Sequence, residues 1–474
     1  MTSALVVGSG PNGLSAAITL AQKGVNVTVV EASDCIGGGL RSSELTLPGL
    51  LHDHCAAIVP TAVSSPFMQS LDLESHGVRW AWPDIDLAHP LDDGSAGILC
   101  RSLVRTVEGL GRDGRRWQQI FGPLSRNYDD LAPDLLSPVV KIPRTPLRLG
   151  AFGAPAMVPA AAMMRLFSTA QARALFAGNA AHAWTPLSRP PSGAVALIFG
   201  AVAHRYGWPA VVGGTARLAA GLADILRSHG GRIETGVAVN TADQIGGFDL
   251  VLYDTNPGLP AELLGDRIPP RIRRALARYR YGSAAFKVDF AVHAGVPWAN
   301  AAARRAGTVH VCGSAREVVT AERDTFNSRM PQRPFVIVAQ QALADAGRAK
   351  GDLKPIYAYA HVPHGYTGDA TESIVSQIER FAPGFRDHIA ATAASGPADF
   401  ERVNPNNVGG DINGGSMDLR TFFARPRLSP NPYWLGVKGH YLCSSATPPG
   451  GGVHGMCGHL AALSALRHQE MVSI

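Results

Sequence analysis

An apolar run at 5–7 breaks into glycine at Gly8, Gly10 and Gly13, and small and apolar residues then recur at helical spacing over 14–21. Gly24 ends that stretch. Val25, Val27, Val29 and Val30 follow as a second β-rich run, closed by Glu31. The pattern predicts strand, tight turn, helix and strand in close succession. From Asp72 to about Arg205 it is lost, and helical segments alternate with Pro-rich connections such as 138–155. It returns at Trp208-Pro209 and Gly213-Gly214-Thr215, with a helix predicted over 216–229 and strands over 232–240 and 248–254. From about Ile268 to Asn431, β-rich runs at 284–292, 335–338 and 356–361 and an amphipathic helix at 372–381 predict an antiparallel sheet with helices. The chain closes with a short strand at 441–443, three glycines at 450–452 and a helix predicted over 453–466.

Each part of the first unit has a physical role. Gly8 lets the chain turn off the strand, Gly10 lets backbone approach a pyrophosphate, and Gly13 lets helix and strand pack closely. The amides at the helix start, beside Pro11 and Asn12, face the phosphates. Glu31, with Ala32 beside it, lies near the spacing expected of a carboxylate that binds a ribose hydroxyl. A second cluster, Gly37-Gly38-Gly39 with Arg41 and Ser42, brings more backbone to the ligand and a cation for a phosphate or ribityl chain. That extension suits FAD, which is longer than NAD. Backbone near Val237 is placed to reach an adenine at the sheet edge. Gly451, Gly452 and Val453 feed a predicted helix start, a further anion site, and His454 beside them is a candidate near a flavin ring. The expected fold is α/β. A discontinuous Rossmann-like FAD-binding domain spans 1–75, 206–267 and 432–474, and an α+β substrate domain spans 76–205 and 268–431, its first insertion largely helical.

Composition changes this picture little. The 474 residues are 46% hydrophobic and 17% charged, as expected for a globular chain. The formal charge is +6, but without a basic stripe interleaved with aromatics, so nucleic acid is excluded as a partner. Arg271, Arg273, Arg274, Arg278 and Arg280 form one dense cluster, read either as a solvated helix face or as a peripheral contact with an anionic membrane. Six cysteines include no C-x-x-C, and His52-Asp53-His54 lacks a third ligand, so neither a redox disulfide nor a metal is expected. No segment is long enough to span a bilayer. With a predicted strand at the N-terminus leaving no signal peptide, a cytoplasmic protein with reduced thiols is the expectation. His182, Trp184 and Pro186 form a polar-aromatic island, either pocket wall or satisfied core.

The signatures at 8–42, at His52-Asp53, at 208–215, at 254–257 and at 447–455 together resemble FAD-dependent oxidoreductases related to phytoene dehydrogenases, in the branch labelled pyridine nucleotide-disulfide oxidoreductase domain protein 2. The resemblance implies a glutathione-reductase-type fold, non-covalent FAD, and redox chemistry on a small apolar substrate with oxygen, quinone or another electron acceptor. The stretch around Lys287 is also similar to the strand of flavin amine oxidases whose lysine holds a water at flavin N5, which makes Lys287 a catalytic candidate or a surface strand lysine. Three functions stay open: a desaturase or dehydrogenase of an apolar substrate, an amine oxidase, and a non-catalytic prenyl or lipid binder on the same fold.

Overall fold

Val6, Val27 and Val29 are fully buried, as the apolar runs of a parallel sheet covered on both faces require. In the computed structural model, which describes residues 2–472, they sit in a five-stranded, all-parallel sheet. Its order is His440–Leu442, Leu250–Tyr253, Ser3–Val7, Asn26–Glu31, Arg232–Thr235. Strands from three distant stretches of chain thus share one sheet. Helix Pro11–Ala21 lies on it, packed between Ala216–Ser228 and Met456–Val472. Small residues permit the contact: a Cβ on Gly458 would lie 1.8 Å from the Asn12 carbonyl oxygen, and one on Gly13 would lie 2.1 Å from the Gly8 carbonyl oxygen.

The second sheet has seven strands, in the order Ile389–Ser395, Ala284–His293, Leu353–Val362, Val336–Ala339, Ala306–Val311, Ile85–Pro90, Ala96–Leu99. All neighbours are antiparallel except Ala306–Val311 with Ile85–Pro90, so the sheet is mixed. One face packs under helices Ala170–Ala181 and Ser192–Tyr206, the other under Thr371–Phe381. The first insertion is helical apart from the short strand Trp80–Ala81, paired with Ala210–Val211, and Ile85–Pro90 and Ala96–Leu99, the last two of which extend this sheet. Their apolar pattern is masked by Asp86, His89 and Gly97, all of which the packed helices bury.

Two further differences bear on function. The strand expected over 232–240 ends at Thr235. The last helix begins at Met456, so Gly451, Gly452 and Val453 form a loop rather than a helix start. Among the described residues no single helix is long and apolar enough to cross a membrane, and the six cysteines are free.

The close helix contact generates a paired prediction. Gly458→Ala forces its Cβ into the backbone of Asn12 and is expected to cost about 2 kcal/mol or more. Gly150→Ala, in the exposed Pro146–Ala156 helix with nothing within 4 Å, is expected to be neutral or to stabilise by about 0.5–1 kcal/mol. Urea unfolding of the two variants measures both; equal destabilisation would remove the packing argument.

Candidate dinucleotide and substrate site

The carboxyl ends of the parallel strands open onto a cavity of about 780 Å³, closed on its far side by the second sheet. A ligand site at this end is what an open α/β sheet provides. Its first wall is largely backbone. Gly8, Gly10, Pro11 and Asn12 come from the first turn, Glu31 and Ala32 from the end of the second strand, and Gly38, Gly39 and Arg41 from the loop that follows. Val237 lines one end, and Gly451, Gly452 and Val453 line the other. Gly38 has φ +54° and approaches Gly10 so closely that a Cβ on it would lie 3.1 Å from the Gly10 Cα. Asn12 Oδ1 and Arg41 Nε are buried on this wall without a hydrogen-bond partner in the protein.

Two carboxylates stand on the same wall. Glu31 accepts hydrogen bonds from the Ser9 amide at 3.0 Å, the Ser9 hydroxyl at 2.6 Å and the Ser33 amide at 3.0 Å, and lies 3.5 Å from Arg41. Asp254, to which sequence reading gave no role, accepts from the Gly13 amide at 2.8 Å. Burial pushes its carboxyl up to about 7, opposed by the Gly13 amide, reinforced by Glu31, and opposed again by the Gly10 amide. The available signal was an acid at the end of a strand adjacent to Ser3–Val7, the same edge that carries the glycine turn.

The opposite wall is aromatic, with Trp184, Phe199, Trp208, Tyr281, Tyr357 and Tyr359, and His182 beside them. His182 and Trp184 of the polar-aromatic island are therefore wall residues; Pro186 is not. The His182 ring stacks on Phe199 at 4.7 Å, and its Nε2 lies 3.0 Å from Nε2 of His310. Burial drives the His182 imidazole down to about 3, with His361 adding to the effect, and drives His310 down as well, so both rings are neutral. The tyrosines come from strands Leu353–Val362 and the loop before Ala284–His293, distant in sequence, which is why no local motif marked them.

Four expected site residues lie elsewhere. Gly13 is behind the wall, where it serves helix packing. Ser42 donates to Asp53 Oδ1 at 2.7 Å and accepts from the Ala216 amide at 3.1 Å, a structural role. Lys287 is neither at the cavity nor on the surface: it is 1% exposed on a strand paired on both sides. Its Nζ donates to the Asp53 carbonyl at 2.6 Å, pairs with Asp289 at 2.6 Å and lies 4.6 Å from the Tyr357 ring centre. Tyr357 thus separates it from the cavity. His454 is buried behind the glycine loop, its Nδ1 accepting from the Met456 amide at 3.1 Å. The ring caps the helix whose start was expected to face a ligand, and burial lowers it to about 4.

The fold and this cavity define an α/β protein built on a Rossmann-like sheet with the geometry of a dinucleotide site. Residues 6–72 match the NAD(P)-binding Rossmann-like domain. Over 97% of its length the chain is 25% identical to pyridine nucleotide-disulfide oxidoreductase domain-containing protein 2 of Rattus norvegicus, covering 92% of that protein. It is 31% identical to hydroxyneurosporene desaturase of Cereibacter sphaeroides over 50% of this chain and 49% of that one. A structure of putrescine oxidase superposes with a TM-score of 0.62 at 16% identity, over 98% of this chain and 99% of that one, a likeness of fold.

Two predictions follow from the buried acids. Because the folded value of Asp254 is raised, the folded chain holds its proton more tightly than the unfolded chain from about pH 4 to about pH 7. The group's contribution is complete below that window and lost as pH rises through it. Asp254→Asn keeps the shape without the charge and is expected to raise the melting temperature at pH 8 while leaving it unchanged near pH 4; a pH-independent difference would refute the assignment. Lys287→Met leaves Asp289 buried without its cation and is expected to cost about 3–5 kcal/mol, much of it recovered in Lys287→Met/Asp289→Leu. Thermal melts of single and double variants decide this, and a single variant as stable as the parent would contradict it.

Proposed function

We propose that this protein is an FAD-dependent dehydrogenase or desaturase that removes hydrogen from a neutral, apolar substrate held in the aromatic half of the cavity. The observation that carries the reading is how the cavity divides. Among the described residues its carboxylates, Glu31 and Asp254, both belong to the glycine wall, and the aromatic wall has none. A hydrocarbon chain buries its surface against Trp184, Phe199, Trp208 and Tyr359, each Å² contributing about 25 cal/mol. A protonated amine would find no anion there, and with Lys287 paired behind Tyr357 the main support for an amine oxidase falls away. The similarity to hydroxyneurosporene desaturase supports the same choice.

The glycine wall fits FAD. The bare backbone at Gly8, Gly10 and Gly38 and the helix start at Pro11 and Asn12 suit a pyrophosphate. Glu31, Ala32 and Val237 would hold the adenosine, Arg41 and Gly39 the middle of the molecule, and Gly451, Gly452 and Val453 the edge of the ring. Asn12 Oδ1 and Arg41 Nε supply the unpaired polar atoms such a ligand would engage. Bound there, FAD supplies the acceptor for a substrate hydride. The protein's own residues position the substrate C–H bond against an apolar surface and exclude water. His182 stands on the cavity wall with its Nε2 3.0 Å from His310, and the burial that keeps it neutral makes it a weak base, so its part is to shape the apolar wall rather than to take the accompanying proton.

Gly10→Val, whose Cβ would lie 2.6 Å from an Asp254 oxygen, is expected to fold yet stay colourless in the presence of FAD. For the parent protein, anaerobic mixing with apolar polyenes and terpenes is expected to bleach the flavin absorbance, and amines are not. Bleaching by amines alone would overturn the substrate class; a parent protein colourless after incubation with FAD would overturn the cofactor and favour a non-catalytic binder.

A further inference from the structure

Away from the large cavity lies a second depression of about 520 Å³. Helix Pro270–Ala277 and the turn after it bring Arg271, Arg274, Arg278 and Arg280 to its rim, and Arg420 and Arg427 close it from a segment some 150 residues later. The arginines clustered over 271–280 are therefore joined in space by two from a distant segment. Asp418 is the one carboxylate that faces them, 3.9 Å from Arg280. Among the described residues no carboxylate lies within ion-pair distance of Arg271, Arg274, Arg278, Arg420 or Arg427; Arg273, next to them, pairs with Asp266. The local excess of charge nearly equals the +6 of the whole chain. Arg427 is held by the Asn431 and Trp434 carbonyls and Arg274 by that of Pro270, neutral partners that leave the charge uncompensated, and cations gathered without counter-charge repel one another unless an anionic surface meets them.

Apolar side chains stand beside this charge rather than under it. On the short helix Leu419–Phe423 and just beyond, Phe422 is 40% exposed, Phe423 41% and Leu428 66%. A solvated helix face has no use for exposed rings. Arginines with adjacent exposed aromatics match a bilayer surface, where guanidinium groups meet phosphates and rings enter the headgroup layer. We propose that this face docks the protein on an anionic lipid bilayer. The same segment supplies Asn413, Gly414 and Met417 to the cavity wall, so docking places the bilayer one segment away from the substrate site. Delivery of an apolar substrate from the bilayer rests on the reading above, whereas the docking does not.

Cosedimentation of the full chain with vesicles tests it. Binding is expected to phosphatidylcholine vesicles carrying about 30 mol% phosphatidylglycerol and not to phosphatidylcholine alone, and is expected to be lost between about 0.05 M and about 0.5 M salt. Arg271→Glu/Arg274→Glu/Arg278→Glu should lower vesicle affinity at least about tenfold, and lysines at the same positions should retain most of it. Phe422→Ser/Phe423→Ser should weaken binding at low salt. Ile142→Ser/Leu147→Ser, altering exposed residues on a different segment, should not. Circular dichroism confirms that each variant folds, and the flavin content of each should be unchanged. Four results would overturn the proposal: indifference of the parent protein to anionic vesicles, loss of binding through Ile142 and Leu147 instead, inorganic pyrophosphate binding the arginines without vesicle binding, or single-stranded RNA binding them more tightly than vesicles do.

Discussion

Four buried charges join the two sheets, and both walls of the cavity take their positions from that junction. Asp53 ends the short strand Leu51–Asp53. One of its carboxylate oxygens accepts from Ser42 and from the Thr215 amide and hydroxyl, all on the dinucleotide side. The other pairs with Arg348 at 3.0 Å, and the Asp53 carbonyl receives Lys287, which in turn pairs with Asp289. All four charged residues are at most 3% exposed. A single unpaired ion at such a place would cost several kcal/mol, but two cations against two anions, tied to backbone and hydroxyl groups, meet much of that demand within the protein. Such a set tolerates little displacement. The junction therefore fixes the glycine turn relative to the aromatic strands more strictly than apolar packing alone would.

A second constraint is the approach of backbone to backbone. Gly13 against Gly8, Gly38 against Gly10 and Gly458 against Asn12 leave no room for a Cβ between them. Together they bring three separate segments of chain to the edge of one sheet. Where side chains are absent, amide dipoles and the helix start become the chemical surface, which suits the wall to the phosphate-bearing ligand proposed above. Asp254 is the exception. A carboxylate hydrogen-bonded to the same turn makes that fit depend on its protonation, because a proton on Asp254 removes the charge that opposes an anion.

The first βαβ unit was legible because its signals are local: glycine spacing, apolar periodicity and an acid lie within some thirty residues of sequence. The second sheet was half legible. Ala284–His293 and Leu353–Val362 show as apolar runs, but Ile389–Ser395 is alanine-rich with every second residue exposed, and Ala306–Val311 carries Gly, Thr and His that neighbouring elements bury. Lys287 misled because its partner Asp53 is 234 residues away and an isolated lysine in an apolar strand reads as either catalytic or exposed. His454 misled in the same way, since Ser65, which donates to its carbonyl, is 389 residues distant. The arginine face was half legible: the cluster over 271–280 shows in the sequence, whereas Arg420 and Arg427 join it only in three dimensions. What the sequence concealed was in each case a polar group whose partner, or whose lack of one, is set by long-range contacts.

The placing of charge also explains how one cavity can serve a polar ligand and an apolar one. Tyr357 stands between Lys287 and the cavity, its hydroxyl donating to the Cys55 carbonyl at 2.6 Å. Burial pushes the Cys55 thiol up to about 11 despite the pull of Lys287, so it stays uncharged, and His182 is held neutral by the same desolvation. Lys287 and Asp289 of the second sheet are thus one layer back from the surface a substrate touches, and the cation that lines the cavity from this side, Arg402, comes from helix Pro397–Val403 rather than from the aromatic strands. In a medium of low dielectric, an ion brought into that surface would act over several ångströms and would select for charge. With the ions withdrawn, the wall selects by shape and apolar area, so discrimination between related substrates comes in steps of a methylene, each worth about 1–3 kcal/mol. Such a wall suits a family of similar hydrocarbons better than a single polar metabolite. The tight junction that keeps Lys287 away from the cavity is thus what leaves the aromatic wall electrically quiet.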